Sequence, residues 1–122
     1  MITVVLIEDN REIRENTAEI LELSNYKVMT AANGVAGIEL IKGNIPDIII
    51  SDIMMPEMNG YEVLKEVRSS PSTQNIPFIF FTAKSESMDM EKGLKLGADQ
   101  YLIKPFDDEE LLSAVKQLVN KE

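Results

Sequence analysis

Five short, apolar, β-branched runs alternate with five segments of helical periodicity, and this alternation limits the fold more than any other feature of the sequence. Runs that are apolar throughout are typical of strands buried on both faces of a parallel sheet, with helices packed on either side. The sequence therefore predicts an α/β fold with a doubly wound, five-stranded parallel sheet in three layers. The predicted strands are Thr3–Ile7, Lys27–Ala31, Asp47–Ser51, Pro77–Thr82 and Gln100–Ile103.

Five helices are predicted from apolar residues spaced three and four positions apart. The first is predicted to begin with Asp9 as its N-cap, three residues before the acid Glu12, and to end at Ser24-Asn25. No repeat or linker interrupts the pattern, so residues 1–122 are predicted to form one domain. The other helices follow Asn33-Gly34 as far as Gly43-Asn44, begin at Gly60, span Glu86–Leu96, and span Asp108–Asn120.

The composition excludes several classes of chemistry. Without Cys or His, the chain has no disulfide, no thiolate or imidazole metal ligand and no Ser-His-Asp triad. Its 21 acidic and 12 basic residues give a net charge of −9, so we expect no direct binding to nucleic acid. No apolar run reaches the ~20 residues that span a membrane, and the N-terminus lacks a basic start and a cleavage site. We therefore expect a cytoplasmic protein without membrane association.

Polar side chains stand where the predicted strands end. Glu8 and Asp9 follow the first strand, Asp52 follows the third, Thr82 ends the fourth, and Lys104 follows the fifth. Because these ends meet at one edge of a parallel sheet, we expect the three carboxylates to share a small volume, which is unfavourable unless they are protonated, paired or bound to a cation. Oxygen ligands alone suit Mg²⁺, Mn²⁺ or Ca²⁺, and a few carboxylates with water suit Mg²⁺. A hydroxyl and an ammonium facing that ion would bind the oxygens of a phosphoryl group.

Each of these residues also has a plainer interpretation. Taken alone, Asp9 would be a helix cap, Glu8 a solvated charge and Asp52 the start of a turn. Thr82 alone would be an ordinary strand residue, and Lys104 alone a surface lysine. Their common position at one edge of the sheet favours a shared site.

Four segments resemble the receiver domain of two-component response regulators, and the resemblance extends from Ile2 to about Asn120. They read VVLIEDN, DIIISDIMMPEMNG, FFTAK and GADQYLIKPF, in the order and at the spacing of that family. The resemblance implies a flavodoxin-like sheet with the strand order 2-1-3-4-5. It also implies a signalling switch that assists its own phosphorylation and slow autodephosphorylation, and not an enzyme.

The resemblance assigns a role to each residue at the strand ends. Asp52 would be the phospho-acceptor, Thr82 would hydrogen-bond a phosphoryl oxygen, and Lys104 would form an ion pair with the phosphoryl group. The implied cation is Mg²⁺, with Mn²⁺ as an alternative, and Glu8 often acts on it through water. Its implied ligands are Glu8, Asp9, Asp52 and the backbone carbonyl of Met54.

The resemblance further implies a phosphoryl donor and a switching surface. The donor would be a phosphohistidine on a sensor histidine kinase or on a histidine phosphotransfer protein. Phosphorylation would draw Thr82 inwards and let Tyr101, at the aromatic switch position, rotate, which changes the surface of the fourth helix, fifth strand and fifth helix. That surface would control a downstream protein or an output domain fused in a longer protein. A monomer and a phosphorylation-linked dimer through the same surface are both compatible with the sequence.

Other functions on this architecture fit the sequence less well. A flavin-binding flavodoxin-like protein would need a neutral, hydroxyl- or glycine-rich loop where this chain has Glu8-Asp9-Asn10. An Asp-nucleophile phosphohydrolase would resemble D-x-D-x-[TV] where this chain reads Asp52-Ile53-Met54-Met55-Pro56. The G-x-x-x-x-G-K-[ST] motif of P-loop NTPases is absent. A receiver that only binds partners would not need the acidic pair, the acceptor and the lysine together.

Overall fold

The computed structural model describes residues 1–83 and 94–119. Within these residues, five strands form one sheet in the order β2-β1-β3-β4-β5, and every neighbouring pair is parallel. The predicted fold class and the implied strand order are therefore confirmed. The strands are β1 (Thr3–Ile7), β2 (Lys27–Ala31), β3 (Ile48–Asp52), β4 (Phe78–Ala83) and β5 (Gln100–Lys104).

Helices follow the strands as the sequence predicts. The fourth helix was predicted over Glu86–Leu96; residues 94–96 are helical and are called α4 here, whereas 86–93 lie outside the described residues, as does Asn120, the predicted end of the fifth helix. No helix in the described part of the chain is long and apolar enough to cross a membrane. The other helices are α1 (Arg11–Leu23), α2 (Gly34–Gly43), α3 (Gly60–Arg68) and α5 (Asp108–Val119).

The start of α1 differs from the prediction. Its N-cap is Asn10, whose Oδ1 atom accepts a hydrogen bond of 2.9 Å from the backbone N–H of Ile13. The prediction that Asp9 caps this helix was wrong because Asn and Asp are equally good N-caps, so local preference could not separate the two neighbours. The carboxylate of Asp9 is exposed and lies close to that of Glu8 instead.

Three strands extend one residue beyond their predicted ends. In the β3–β4 pair Asp52 lies opposite Phe81, and in the β4–β5 pair Ala83 lies opposite Lys104. Strands β3 and β4 also begin one residue later than predicted. Asp52 and Lys104 are consequently strand residues anchored in the sheet and not members of the following loops.

Both faces of the sheet are buried, which explains the continuous apolar runs. Successive residues of a strand point to opposite faces, so Val5 and Ile7 join the apolar layer under α2 and α3, whereas Val4 and Leu6 join the layer under α1 and α5. The first layer also contains Ile41, Ile49, Val63, Leu64, Val67, Phe78 and Phe80. The second also contains Leu21, Ile48, Ile50, Ile79, Phe81, Leu111 and Val115.

Gly60 allows the beginning of α3 to pack against the end of β3. A Cβ atom at this position would collide with the carbonyl oxygen of Asp52 and lie 2.9 Å from Cα of Ile53. Asn59 caps α3 in a reciprocal arrangement, accepting from the N–H of Glu62 at 3.0 Å and donating its own N–H to the Glu62 carboxylate at 2.9 Å. These contacts fix the loop that follows Asp52.

Candidate functional site

Three acidic side chains meet at the carboxyl edge of the sheet. Glu8 follows β1, and Asp52 ends β3, which pairs directly with β1. Glu8, Asp9 and Asp52 each place one carboxylate oxygen within 4.8 Å of those of the other two. Glu8 is only 1% exposed and Asp52 5% exposed, whereas Asp9 faces solvent. The structure thus brings the three predicted acids together.

Lys104 completes this group from the far side of β4. Its Nζ atom lies 2.7 Å from Oε1 of Glu8 and 3.4 Å from Oδ2 of Asp52. To reach them from β5 the side chain passes over β4, where Nζ lies 4.8 Å from the ring centroid of Phe81. One ammonium group is therefore shared between two buried carboxylates.

The two buried acids respond differently to this environment. Burial alone would raise the pKa of Glu8, but hydrogen bonds from Lys104 and from the N–H of Asn10, together with the Lys104 charge, hold it below its usual value. Burial, followed by the negative charge of Glu8, raises the pKa of Asp52 to about 7 despite the proximity of Lys104. Without a further cation, Asp52 is therefore the acid that carries a proton most readily.

The pKa values of the other two charged groups, Asp9 and Lys104, are shifted as an excess of negative charge would shift them. The pKa of Asp9 is raised by desolvation and then by its hydrogen bond to Glu8 and the charge of that residue. Burial would lower the pKa of Lys104, but its hydrogen bond to Glu8 and the charges of Asp52 and Glu8 raise it. Lys104 therefore stays protonated and offsets only part of the charge of the three acids.

The donor chemistry of the acidic group fits a hard divalent cation. Its side chains offer only carboxylate oxygens, which Mg²⁺ and Mn²⁺ prefer to nitrogen and sulfur ligands. The raised pKa values of Asp9 and Asp52 indicate negative charge that a divalent cation would neutralise. The three acids could thus hold a metal ion.

The other predicted site residues lie near this edge at different depths. Thr82 is fully buried on β4, in the strand between those of Asp52 and Lys104. Met54 follows Asp52 in the next loop and is 59% exposed. Tyr101 lies deeper along β5 and is half-buried, with its ring centroid 5.5 Å from that of Phe80. Phe80 and Thr82 are two residues apart on β4 and so point to the same face of the sheet.

Two residues to which the sequence analysis assigned no role hold Glu8 in place. The N–H of Asn10 donates to Oε2 of Glu8 at 3.0 Å, and Nη1 of Arg14 donates to the backbone carbonyl of Glu8 at 2.8 Å. The available signal was their position, at the N-cap and in the next turn of a helix that begins directly after the acidic pair. Local sequence does not indicate where the Arg14 side chain points, so this contact required the tertiary structure.

A mainly apolar groove of about 480 Å³ opens beside the acidic group, between α1 and the segment after β5. Lys104 belongs both to this groove and to the acidic group, so the two features adjoin. The peptide bond that joins Lys104 to Pro105 is cis. The lining residues are Ile13, Asn16, Thr17, Ile20, Lys104, Pro105 and Phe106.

The chain is similar in sequence to response regulators. Residues 4–116 match the family described as the response regulator receiver domain. The transcriptional regulatory protein CpxR homolog of Haemophilus influenzae is 36% identical over 121 residues, which are 99% of this chain and 52% of that protein. The response regulator MprA of Mycobacterium sp. (strain KMS) is 35% identical over 120 residues, which are 98% of this chain and 51% of that protein. The chain spans about half the length of the curated relatives it matches.

Solved structures of receiver domains are also similar to the chain. The chemotaxis response regulator CheY4 of Vibrio cholerae superposes with a TM-score of 0.91 at 31% identity, covering 97% of this chain and 98% of that one. The receiver domain of the sensor histidine kinase PA1611 from Pseudomonas aeruginosa gives a TM-score of 0.90 at 27% identity, covering 98% of both chains. That structure has a magnesium ion coordinated in its active site cleft.

The order of the parallel strands and the matched structures show that the chain has the flavodoxin-like fold of the class of signalling receiver domains, with an acidic group at the carboxyl edge of its sheet. Within that class, the chain belongs to the response regulator receiver domain family of two-component systems. Members of this family act as signalling switches and typically bind Mg²⁺. The resemblance inferred from the sequence motifs is confirmed.

Proposed function

We propose that residues 1–122 form one cytoplasmic receiver unit that accepts a phosphoryl group on Asp52 from a phosphohistidine. The observation that carries this proposal is the position of Asp52, buried beside Glu8 and Asp9 with Lys104 at 3.4 Å. A carboxylate needs no general base to act as a nucleophile, which suits a chain without histidine. The donor is a sensor histidine kinase or a histidine phosphotransfer protein.

The chain's own residues supply the nucleophile and the contacts to the transferred group. A carboxylate oxygen of Asp52 attacks phosphorus in line, the new P–O bond forms as the P–N bond breaks, and the electron pair leaves on the histidine nitrogen. Lys104 then forms an ion pair with a phosphoryl oxygen in place of part of its contact with the acids. The Thr82 hydroxyl donates a hydrogen bond to another phosphoryl oxygen.

The proposed metal ligands are the three acids and one backbone group. Mg²⁺ (or Mn²⁺) bound there would supply positive charge that favours ionised Asp52 and offsets the charge of the phosphoryl oxygens. Asp9, Asp52 and the backbone carbonyl of Met54 would hold the ion directly, and Glu8, the third acid, would act on it through water. Slow attack of water on the phosphorus of phosphorylated Asp52 breaks its P–O bond to the carboxylate, releases inorganic phosphate and resets the switch, so the chain removes its own phosphoryl group.

The signal passes from the site to a neighbouring surface through Thr82 and Tyr101. Movement of Thr82 toward the phosphoryl group changes the space beside Phe80, against which Tyr101 packs at 5.5 Å between ring centroids. Rotation of Tyr101 then alters the surface formed by α4, β5 and α5. Phosphorylation needs only to favour an existing active conformer by a few kcal/mol. The altered surface controls a downstream protein or a fused output domain. The protein acts there either as a monomer or as a phosphorylation-linked dimer.

The groove beside Lys104 provides a place for the phosphodonor. Ile13 and Ile20 on α1 and Phe106 after β5 supply its apolar lining. An apolar ridge of a donor helix seated there would hold its phosphohistidine next to the lysine that contacts Asp52. The donor is thus recruited by the same edge of the molecule that carries out the transfer.

Phosphorylation by a small donor tests the acceptor directly. The protein is incubated with Mg²⁺ and acetyl phosphate, and its intact mass is measured. We expect one added phosphoryl group on the wild type, none on Asp52→Asn, and one on the control Asp47→Asn, which alters an exposed acid just before β3. Modification that persists in Asp52→Asn would place the acceptor elsewhere, and an unmodified wild type would contradict the proposed function.

A further inference from the structure

Arg14 contacts the backbone of both acids that precede α1. It lies in the second turn of that helix and is half-buried. Its Nη1 atom donates to the carbonyl oxygen of Glu8 at 2.8 Å, an ordinary hydrogen-bond length, and lies 3.5 Å from that of Asp9. The guanidinium group therefore bridges the peptide units that connect the strand to the helix.

The other polar groups of Glu8 are held by different elements. Its N–H donates to the carbonyl of Ala31 at 3.1 Å, and its two carboxylate oxygens accept from Lys104 and from the N–H of Asn10. Arg14 is the partner described for its carbonyl oxygen. Asp9, by contrast, is exposed and lies beyond the last residue of β1. The orientation of the peptide between Glu8 and Asp9 decides where the Asp9 carboxylate points, and Arg14 contacts this peptide from α1.

We propose that Arg14 is a positioning residue for metal binding, which holds the backbone of Glu8 and Asp9 so that the Asp9 carboxylate faces Asp52. This inference rests on the proposed function, because it concerns the metal ligands named there. Arg14 acts through the backbone and does not itself contact the metal or the phosphoryl group. Partners that orient metal ligands in this way typically change metal affinity by about 10- to 100-fold when they are removed.

The charge of Arg14 and its hydrogen bonds have opposite effects on the affinity for Mg²⁺. A guanidinium in contact with the backbone of two residues of the acidic group repels a divalent cation bound there, so loss of the charge alone would tighten Mg²⁺ binding. Loss of the hydrogen bonds would weaken binding, because the ligands would no longer be held in place. The sign of the change therefore separates a positioning role from an electrostatic one.

Titration of Mg²⁺ by calorimetry into the unphosphorylated protein measures this change without any activity assay. We expect Arg14→Met, which keeps the length of the aliphatic stem but removes every donor, to bind Mg²⁺ about tenfold more weakly than the wild type. Arg11→Met is the matched control, because it removes the same charge from the preceding turn of α1, where Arg11 pairs only with exposed Glu15 among the described contacts. That control should bind Mg²⁺ within about twofold of the wild type.

A second variant and a spectroscopic measurement complete the test. Arg14→Lys keeps the charge and one donor group, so it should recover part of the lost affinity. In the metal-free state, the amide resonances of Asp9 and Asn10 should both shift in Arg14→Met. In Arg11→Met that of Asp9 should keep its position, and that of Asn10 should shift only by the small amount that a substitution at the adjacent residue produces. These two shifts report the peptide orientation, which a uniform loss of stability would not change.

The outcomes separate this inference from the proposed function. Wild-type protein that binds no Mg²⁺ contradicts the proposed function, whatever the variants do. Wild-type protein that binds Mg²⁺, with Arg14→Met binding it equally or more tightly, overturns the role of Arg14 alone. Should Arg14→Met fail to fold, Arg14→Lys decides: weaker binding than in the wild type supports the inference, and wild-type affinity overturns it.

Discussion

The Nζ atom of Lys104 lies 2.7 Å from Oε1 of Glu8, a residue 96 positions earlier in the sequence. Glu8 is almost completely buried, and this ion pair together with the N–H of Asn10 keeps it ionised. The same ammonium is farther from Asp52, at 3.4 Å, and the pKa of Asp52 rises to about 7. The proposed acceptor is thus the less stabilised of the two buried anions, which makes its charge sensitive to pH and to cations.

Replacement of Asp52 by Asn should stabilise the metal-free protein at neutral and higher pH. The pKa of this carboxyl rises from 3.8 to about 7 on folding, so the folded state binds the proton more tightly. The ionised carboxylate of Asp52 therefore destabilises the folded state. This destabilisation is absent below pH 3.8 and grows as the pH rises to about 7. A shift of this size corresponds to about 4 kcal/mol. We expect a gain of up to about 4 kcal/mol at pH 8 and no gain at about pH 4, because the raised pKa already includes the attraction of Lys104.

Urea unfolding of wild type and Asp52→Asn over a series of pH values measures this difference. Glu39→Gln, which alters an exposed acid on α2, is the control and should change little at any pH. Equal stability of the wild type and Asp52→Asn at about pH 8 would show that burial of this charge carries no penalty.

Lys104→Met should destabilise the protein at high pH by leaving Glu8 buried without its cation. We expect a loss of about 3 kcal/mol at pH 8, as for other buried pairs that lose one partner. Because the pair lowers the pKa of Glu8 below 4.5, its stabilisation is present above that pH and disappears as the pH falls through the lowered pKa. Lys116→Met, on the exposed side of α5, is the matched control in the same unfolding measurements. An equal loss at low and high pH would mean that packing and not charge is responsible.

Mg²⁺ should raise the midpoint of thermal unfolding of the wild type. A ligand that binds only the folded state adds about 2.7 kcal/mol at a concentration of 100 times its dissociation constant. Asp9→Asn removes an exposed acid of the cluster with little effect on packing, and we expect it to lose most of the gain. Glu39→Gln should keep the full effect, so a response to Mg²⁺ that survives in Asp9→Asn would point to binding elsewhere on the acidic surface.

Gly60→Ala should destabilise the fold by about 3 kcal/mol, at the upper end of the range for overpacking. The new methyl group would meet backbone atoms of Asp52 and Ile53, which cannot move without disturbing β3. Gly43→Ala is the comparison, because a Cβ atom there has no neighbour within 4 Å. Ala favours a helix interior over Gly by about 1 kcal/mol, and a smaller gain is expected at Gly43, the last residue of α2. Chemical unfolding should therefore show opposite signs for the two changes, and a tolerated Gly60→Ala would mean that the loop after Asp52 is not held against α3.

The local elements of this fold could be predicted because the pattern of apolar residues is itself local. A strand covered on both faces must be apolar throughout, and a helix covered on one side must be apolar every third or fourth residue. The helix cap could not be predicted in the same way, since Asp9 and Asn10 have equal capping preference. The ends of three strands could not be predicted either. Asp52 and Lys104 pair with residues of neighbouring strands, and this pairing lengthens the strands beyond their apolar runs.

By itself, the sequence determined the α/β alternation and the polar residues that end the strands, since both follow from the polarity of neighbouring residues along the chain. Only the tertiary structure decided that Glu8 is buried and not solvated, that Lys104 pairs with it, and that Arg14 contacts its backbone. These features depend on side chains reaching across strands and back from a helix, over distances set by the packing of the whole sheet. Local sequence does not indicate how the sheet packs, and the electrostatics of the site depend on that packing.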